Sequence, residues 1–158
     1  MLKSQFKSLF FVTFLLFSIS LGVAAMASGS VPVEQLKEAI VKIRMSEPST
    51  AVRTAAAEHL AELARETNPQ EVDDRTVADM ISLMDTSDDS VRYWVARSLG
   101  NLGVRAKVAV PKLQEKLIEV DCIQGSLTSA SGIRFALAQM GAPSTPAACF
   151  GTFDSRSK

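Results

Sequence analysis

Apolar residues recur along the chain in three sets that share one spacing. Within each set they lie at i, i+4, i+8 and i+11, so they fall on one side of an α-helix. The sets are Val52, Ala56, Leu60 and Leu63; Val91, Val95, Leu99 and Leu102; and Ser129, Ile133, Leu137 and Met140. They begin at positions 52, 91 and 129, so the interval between them is nearly constant. Self-similarity at about 40 residues is typical of a solenoid of stacked helix pairs.

A shorter apolar series precedes each set and repeats at i, i+4 and i+7. Its members are Leu36, Ile40 and Ile43; Val77, Ile81 and Met84; and Leu113, Leu117 and Val120. Together the two series predict six helices, approximately at 33–45, 49–66, 73–85, 89–102, 110–121 and 126–140. We expect an all-α fold, a short right-handed α-α solenoid of about three helix pairs whose apolar faces are buried against one another.

Residues typical of helix ends separate the predicted helices. Ser49 and the run from Ser87 to Asp89 precede helices, where their side chains can accept hydrogen bonds from the first amides. Gly103 and Gly141 follow helices and suit the left-handed conformation at that position. The segment from residue 103 to Ala109 is predicted to be a loop between repeats.

The N-terminal segment, 1–27, has the pattern of a secretory signal peptide. Lys3 and Lys7 precede an apolar run from Leu9 to Leu21, and Ala25-Met26-Ala27 forms a small-residue cleavage site before Ser28. The alternative is an uncleaved membrane anchor, since the apolar run up to Ala27 is near the lower limit for a spanning helix. We expect cleavage between Ala27 and Ser28, a repeat domain over 28–142 and an irregular tail over 143–158.

Charge excludes one class of partner. The full chain has 17 basic and 17 acidic residues; without Lys3 and Lys7 of the signal segment, 15 basic and 17 acidic residues leave a net charge of −2. A nucleic-acid partner would require a clustered basic surface, which this chain lacks. Contact with a membrane is expected only through the signal segment, if it is not cleaved.

Two cysteines, Cys122 and Cys149, flank the second helix of the third pair. Paired cysteines of exported proteins tend to form disulfides, so a Cys122–Cys149 bridge is the favoured interpretation and two separate thiols the alternative. Beyond Cys149, one interpretation of Phe150 and Phe153 is that they fold back over the exposed end of the solenoid as a cap, and the alternative is that both are exposed to solvent.

No residue pattern indicates catalysis, a metal or a cofactor. His59 is the single histidine and lacks a second ligand at zinc-binding spacing. It also lacks a nucleophile at a characteristic spacing. The acidic pairs Asp73-Asp74 and Asp88-Asp89 begin helices, where acids complement the positive end of the helix dipole. We therefore expect a protein that is not an enzyme.

The middle unit resembles the HEAT repeat, in particular the short bacterial HEAT-like class also seen in phycobiliprotein lyase subunits. The resemblance is carried by Asp85, Val91-Arg92, Leu99-Gly100-Asn101-Leu102-Gly103 and the following Val110-Pro111-Lys112-Leu113. The first unit is similar from Val52-Arg53 to Leu63 but has Ser46 in place of the aspartate. The third is degenerate, with Ala130 in place of the arginine, although a shift of a few residues offers Ile133-Arg134 instead. The resemblance covers approximately residues 33–142.

This resemblance implies structural roles for Arg53, Asp85 and Arg92. In such repeats these residues usually form bonds across neighbouring units. The resemblance therefore implies that the two arginines hold the repeats together and do not form a ligand site.

The second helix of each pair is expected to line the concave face of the solenoid, where a partner would bind. The outward positions there are Tyr93, Arg97 and Asn101, and Phe135 corresponds to Arg97 in the third repeat. Tyrosine, tryptophan and arginine are over-represented among interface hot spots. Trp94, next to Tyr93, borders the apolar stripe, and we favour a core role for it.

These features favour an exported scaffold or adaptor that binds a protein or peptide in the periplasm, or after secretion. One alternative is binding of an envelope polymer or a small ligand. A lyase-like accessory subunit rests on the family resemblance alone, which is weak support for a function.

Overall fold

A computed structural model describes residues 31–45, 49–120 and 127–144. Within these ranges the chain forms helices and no strands. The α-helices are α1 (Val33–Met45), α2 (Thr50–Glu66), α3 (Asp74–Ser82), α4 (Asp89–Asn101), α5 (Val110–Val120) and α6 (Ser129–Gln139). The all-α class and the six helices predicted from the spacing are confirmed. The signal segment, Cys122, Cys149, Phe150 and Phe153 lie outside the described residues.

Three short 3₁₀ helices, at Pro69–Glu71, Leu83–Asp85 and Gly103–Ala109, connect the α-helices. The second of them replaces the last turn predicted for α3. The third corrects the predicted loop between repeats. Ala106 and Ala109 are fully buried there, so the linker coils to bring these small side chains into the core.

Acidic side chains cap the starts of α3 and α4. Asp73 accepts a hydrogen bond from the Thr76 amide at 2.6 Å, and Asp88 accepts from the Ser90 and Val91 amides. The Ser49 side chain accepts no bond at the start of α2, so the cap expected there is wrong. Gly103 and Gly141 have φ angles of 55° and 66°, which confirms the left-handed helix ends.

One continuous core runs through all three helix pairs. Leu60, Leu99 and Leu137, at the same position in successive second helices, are fully buried. The first helices contribute Leu36, Val77 and Leu113, which are also fully buried. Because each of these leucines and valines removes its apolar surface from water, their burial stabilises the stack of helix pairs.

Val52 departs most from the predicted core. Its side chain is 50% exposed, whereas the corresponding Val91 is fully buried. Val91 lies at the junction of the first two repeats, where it lines a groove together with Ile43 and Arg53. The first repeat covers Val91, but the described residues include no repeat that would cover Val52 in the same position. The prediction that Val52 is buried was therefore wrong.

The second helices form a continuous layer, because α4 packs against α2 on one side and against α6 on the other. Two glycines permit close approach of α4 and α6. A Cβ atom at Gly132 would lie 2.7 Å from the Tyr93 carbonyl oxygen, and one at Gly100 would lie 2.7 Å from Cε1 of Phe135. The first helices lie behind this layer, α1 against α2 and α5 against α6.

Candidate interaction surface

Arg53 and Asp85 each form a bond to the neighbouring repeat. The Arg53 guanidinium on α2 donates to Oγ1 of Thr86 in the second repeat at 2.8 Å. The Asp85 carboxylate accepts from the ammonium groups of Lys112 and Lys116 on α5, at 2.8 and 3.3 Å. Both contacts join different helix pairs, as the family resemblance implied.

Arg92 behaves differently from that expectation. Its Nε donates to the Met84 carbonyl oxygen at 3.3 Å, and its terminal nitrogen donates to the Thr86 carbonyl. Both acceptors belong to the turn between α3 and α4 of its own repeat. Arg92 therefore closes the helix pair in which it lies, and the expected bond to a neighbouring repeat is wrong.

Sequence reasoning missed several bonds between repeats that use side chains outside the motif. Arg44 on α1 donates to the Asp79 carboxylate at 2.8 Å and to Oγ of Ser82 at 2.7 Å, both on α3. Arg105 in the linker donates to the Val72 carbonyl at 2.7 Å and pairs with the Asp74 carboxylate at 2.6 Å. In the sequence, each of these arginines is separated from its acidic partner by slightly less than one repeat, and this spacing could have indicated the bonds.

Two aspartates of the second repeat have lowered pKa values. The Thr76 amide, assisted by the Lys37 ammonium at 3.3 Å, lowers the pKa of Asp73 to about 2. The neighbouring ammonium groups of Lys112 and Lys116 lower the pKa of Asp85. Both shifts come from groups that stabilise the carboxylate form, so both aspartates act as structural anions.

Tyr93 is not an outward position. Only 8% of the residue is exposed, and its backbone lies against Gly132 of α6. Its ring meets Trp94 edge to face, with ring centres 4.9 Å apart. The expectation that Tyr93 belongs to the exposed surface was wrong, because the glycine lets α6 approach at this point.

Arg97 and Phe135 are brought together. The guanidinium carbon of Arg97 on α4 lies 3.7 Å from the centre of the Phe135 ring on α6, both side chains being partly exposed. A guanidinium at this distance is attracted to the face of the ring. Among the described residues, no carboxylate forms an ion pair with Arg97.

Asn101 joins α4 to α2. Its amide nitrogen donates to the Ala61 carbonyl oxygen at 2.8 Å. The side chain is partly buried, and its donor is already used within the solenoid. Of the predicted binding residues, Arg97 and Phe135 therefore have the more accessible chemistry.

Trp94 packs against the core but remains partly exposed. The sequence favoured a core role for Trp94. In the structure one side of the residue contacts the core and the other side is at the surface. An indole in this position offers a large apolar contact together with an N–H donor.

We define the second-helix face as the exposed and partly exposed residues Glu58, Glu62, Trp94, Arg97, Phe135 and Gln139. Glu58, Arg97 and Phe135 occupy one position of the repeat and Glu62 and Gln139 another, and Trp94 lies one turn before Arg97 on α4. The face is acidic on α2, where Glu58 and Glu62 are exposed one turn apart, and positive and aromatic on α4 and α6. Such a combination can recognise a segment that carries both charge and apolar side chains.

A groove of about 370 Å³ lies between the first two repeats, away from Trp94 and Phe135. Arg44, Arg53, Ser82 and Thr86 supply its polar lining. Because both arginines donate to residues of the second repeat, the groove presents side chains whose hydrogen bonds are already formed.

In the part of the chain that the structure describes, no group of three histidine, cysteine, aspartate or glutamate residues could hold a metal ion. His59 is exposed, and its Nδ1 lies 3.7 Å from the Glu62 carboxylate on the same helix. Within the described ranges, none of the helices combines the length and apolar character needed to cross a membrane.

The stack of α1–α2, α3–α4 and α5–α6 is an α-solenoid with side-chain bonds between neighbouring repeats. Comparison with protein families shows that the family model for HEAT repeats matches residues 33–121, more than half of the chain. The protein belongs to the HEAT repeat family. The match ends just after α5, in agreement with the degenerate sequence of the third repeat. Comparisons with curated proteins and with solved structures gave no significant match.

Proposed function

We propose that the protein is an exported scaffold that binds a protein or peptide through the second-helix face. HEAT repeats generally act as protein-interaction scaffolds. The observation that carries the proposal for this chain is the Arg97–Phe135 stack, which presents a guanidinium and an aromatic ring together across two repeats.

The chemistry of the face indicates what kind of segment would bind. Glu58 and Glu62 on α2 favour basic side chains, whereas Arg97 and Trp94 on α4 favour an acidic or apolar one. A segment with basic residues at one end and an acidic or aromatic residue at the other complements both. The adaptor would act by shape and charge alone, without a chemical step.

The location is part of the proposal and is supported by the N-terminal sequence, from Lys3 to the Ala25-Met26-Ala27 site. The intact mass of the protein isolated from its native cells tests it. Export with cleavage predicts a chain that begins at Ser28. A chain that retains residues 1–27 and fractionates with the cytoplasm would contradict it.

A photo-crosslinking amino acid tests the binding face in cells that make the protein. Three variants each carry it at one position. Two of these positions, Glu62 and Gln139, are exposed on the second-helix face, and the third, Lys107, is exposed on the linker and is the matched control. The two face positions should crosslink to the same protein and the linker position should not. Equal products from all three positions, or none from either face position, would contradict the proposal.

The same three crosslinking variants distinguish binding of a protein from binding of an envelope polymer. Binding of the polymer would give a rise in melting temperature with cell-wall fragments and no crosslinked protein, since a ligand that binds the folded state stabilises it.

A further inference from the structure

Each second helix inside the solenoid presents one edge to the repeat before it. At the start of α4 this edge carries Val91, which lines a groove together with Ile43 and Arg53 of the first repeat. At the start of α6 the same position of the repeat is Ser129, which donates to the Asp89 carboxylate of the second repeat. Both internal junctions therefore use the same edge of the second helix.

Two further positions of this edge also contact the preceding repeat. A Cβ atom at Gly132 of α6 would lie 2.7 Å from the Tyr93 carbonyl oxygen. The Asn101 amide of α4 donates to the Ala61 carbonyl oxygen at 2.8 Å. The edge thus has three positions along its length, each with a known kind of partner in the repeat before it.

On α2 the same edge has no repeat before it in the described ranges. Counting back by the length of the repeat, its three positions are occupied by Val52, Ala55 and Glu62. All three residues are exposed, and Val52 is 50% exposed. We call these three residues the leading edge.

On α6 the opposite edge has no described repeat after it. The three partner positions, counted forward by the repeat, are occupied there by Leu127, Ser131 and Ala138. Leu127 is 66% exposed, Ala138 is exposed and Ser131 is partly exposed. The described chain after α6 turns toward α5, where the Gln114 amide donates to the Pro143 carbonyl oxygen at 3.2 Å. We call the three residues the trailing edge.

The two edges match each other in the register of the solenoid. A second copy that continued the layer of second helices would place its Val52 against Leu127, in the same way as the corresponding residues meet inside the chain. Both side chains are apolar and at least half exposed, so their contact would remove apolar surface from water. The next pair, Ser131 and Ala55, has small side chains, which permit the helices to approach closely.

We propose that the trailing edge of one copy docks on the leading edge of a second copy, so that the protein associates head to tail. Because the two edges differ, the contact is heterologous, and each added copy presents a new trailing edge or a new leading edge. The layer of second helices continues across the junction, and most of the second-helix face remains open. The proposal depends on the fold alone and not on the proposed function.

Glu62 weakens this association. Inside the chain Asn101 donates to the Ala61 carbonyl oxygen from this position, whereas a carboxylate cannot donate to the Ala138 carbonyl of a second copy. Glu62→Asn should supply the missing donor and lower the dissociation constant of self-association by about threefold to tenfold, the gain expected from one hydrogen bond. Unchanged or weaker association of this variant would overturn the proposed register.

Sedimentation velocity of the isolated protein tests the association, and the mean mass should rise with protein concentration. Val52→Asp and Leu127→Asp should each weaken self-association at least about tenfold, because each introduces a charge into the junction. Val104→Asp is the matched control, since Val104 is 73% exposed on the linker between the second and third repeats, and it should associate like the wild type. Urea denaturation establishes that each variant is folded. A wild type that remains monomeric at every concentration would overturn the proposal.

A mixture of the two edge variants distinguishes head-to-tail docking from a symmetric dimer. Val52→Asp retains an intact trailing edge and Leu127→Asp retains an intact leading edge. The mixture should therefore form a one-to-one dimer that does not grow further, although each variant alone is monomeric. Absence of this dimer, or self-association of either variant alone at the wild-type level, would overturn the proposal.

Discussion

The Asp89 carboxylate at the start of α4 accepts hydrogen bonds from Ser129 at the start of α6. The Ser129 amide lies 3.2 Å from Oδ2 and 3.3 Å from Oδ1 of Asp89, and the serine hydroxyl also donates to this carboxylate. An aspartate of the second repeat therefore satisfies the first amide of a helix in the third. The contact fixes the register of α4 and α6, which carry most of the second-helix face.

Asp89→Ala should destabilise the protein by about 1–2 kcal/mol, because it removes a charged acceptor from a helix N-terminus. Asp89→Asn retains an acceptor and should cost less. Ser90→Ala, at the exposed neighbouring position, is the control and should change the free energy of unfolding by less than about 0.5 kcal/mol. Urea denaturation measures all three, and equal stability of Asp89→Ala and Ser90→Ala would show that the contact contributes nothing.

Gly132→Ala should destabilise the protein although alanine favours helices. The added Cβ would lie 2.7 Å from the Tyr93 carbonyl oxygen, so α4 and α6 must move apart. We expect a loss of about 1–3 kcal/mol, which exceeds the gain of about 1 kcal/mol in helix propensity. Gln139→Ala, exposed on the same helix, should be close to neutral. A thermal melt in which Gly132→Ala is more stable than the wild type would contradict the close packing.

Acid should weaken the N-terminus of α3. Because the folded pKa of Asp73 is about 2 and its ordinary value is 3.8, this carboxylate stabilises the fold above about pH 4 and the contribution is lost as the pH falls toward 2. Asp73→Asn keeps an acceptor for the Thr76 amide but does not titrate. The difference in unfolding free energy between wild type and variant should shrink between pH 4 and 2. A constant difference over this range would exclude the carboxylate as the cause.

The Cys122–Cys149 bridge remains a prediction, since both residues lie outside the described ranges. Protein isolated from an oxidising compartment should be two hydrogens lighter than the dithiol form by intact mass. Closure of such a loop would stabilise the fold by about 3–4 kcal/mol in the chain-entropy model, so reduction should lower the urea midpoint. Two titratable thiols in the folded exported protein would rule the bridge out.

The helical periodicity predicted the architecture because Leu60, Leu99 and Leu137 occupy one position of a repeated unit. Local end signals such as Asp88 and Gly141 act within a few residues, so the sequence also located most helix boundaries. Val52 fits the same pattern but is exposed, since burial of that position depends on a preceding repeat. A pattern within one helix cannot report the presence of its neighbour.

The candidate surface was harder to predict than the helices. Tyr93 and Trp94 are adjacent, so their side chains point in different directions on α4, and both border the apolar stripe. Tyr93 is buried and Trp94 is partly exposed because Gly132, one repeat further along the chain, allows the α4 backbone to approach α6 closely at Tyr93. A glycine within a predicted helix was a signal of close approach that could have been used. The role of Asp89 was hidden because an acid at a helix start already has a local explanation.

The dissociation constant of the crosslinked partner from three forms of the protein tests the central claim most directly. The forms are the wild type, Arg97→Glu on the second-helix face and Lys107→Glu on the linker, each shown by urea denaturation to be folded. The account predicts that Arg97→Glu binds at least about tenfold more weakly and that Lys107→Glu binds like the wild type. Unchanged affinity of Arg97→Glu, or an equal loss in Lys107→Glu, would contradict it.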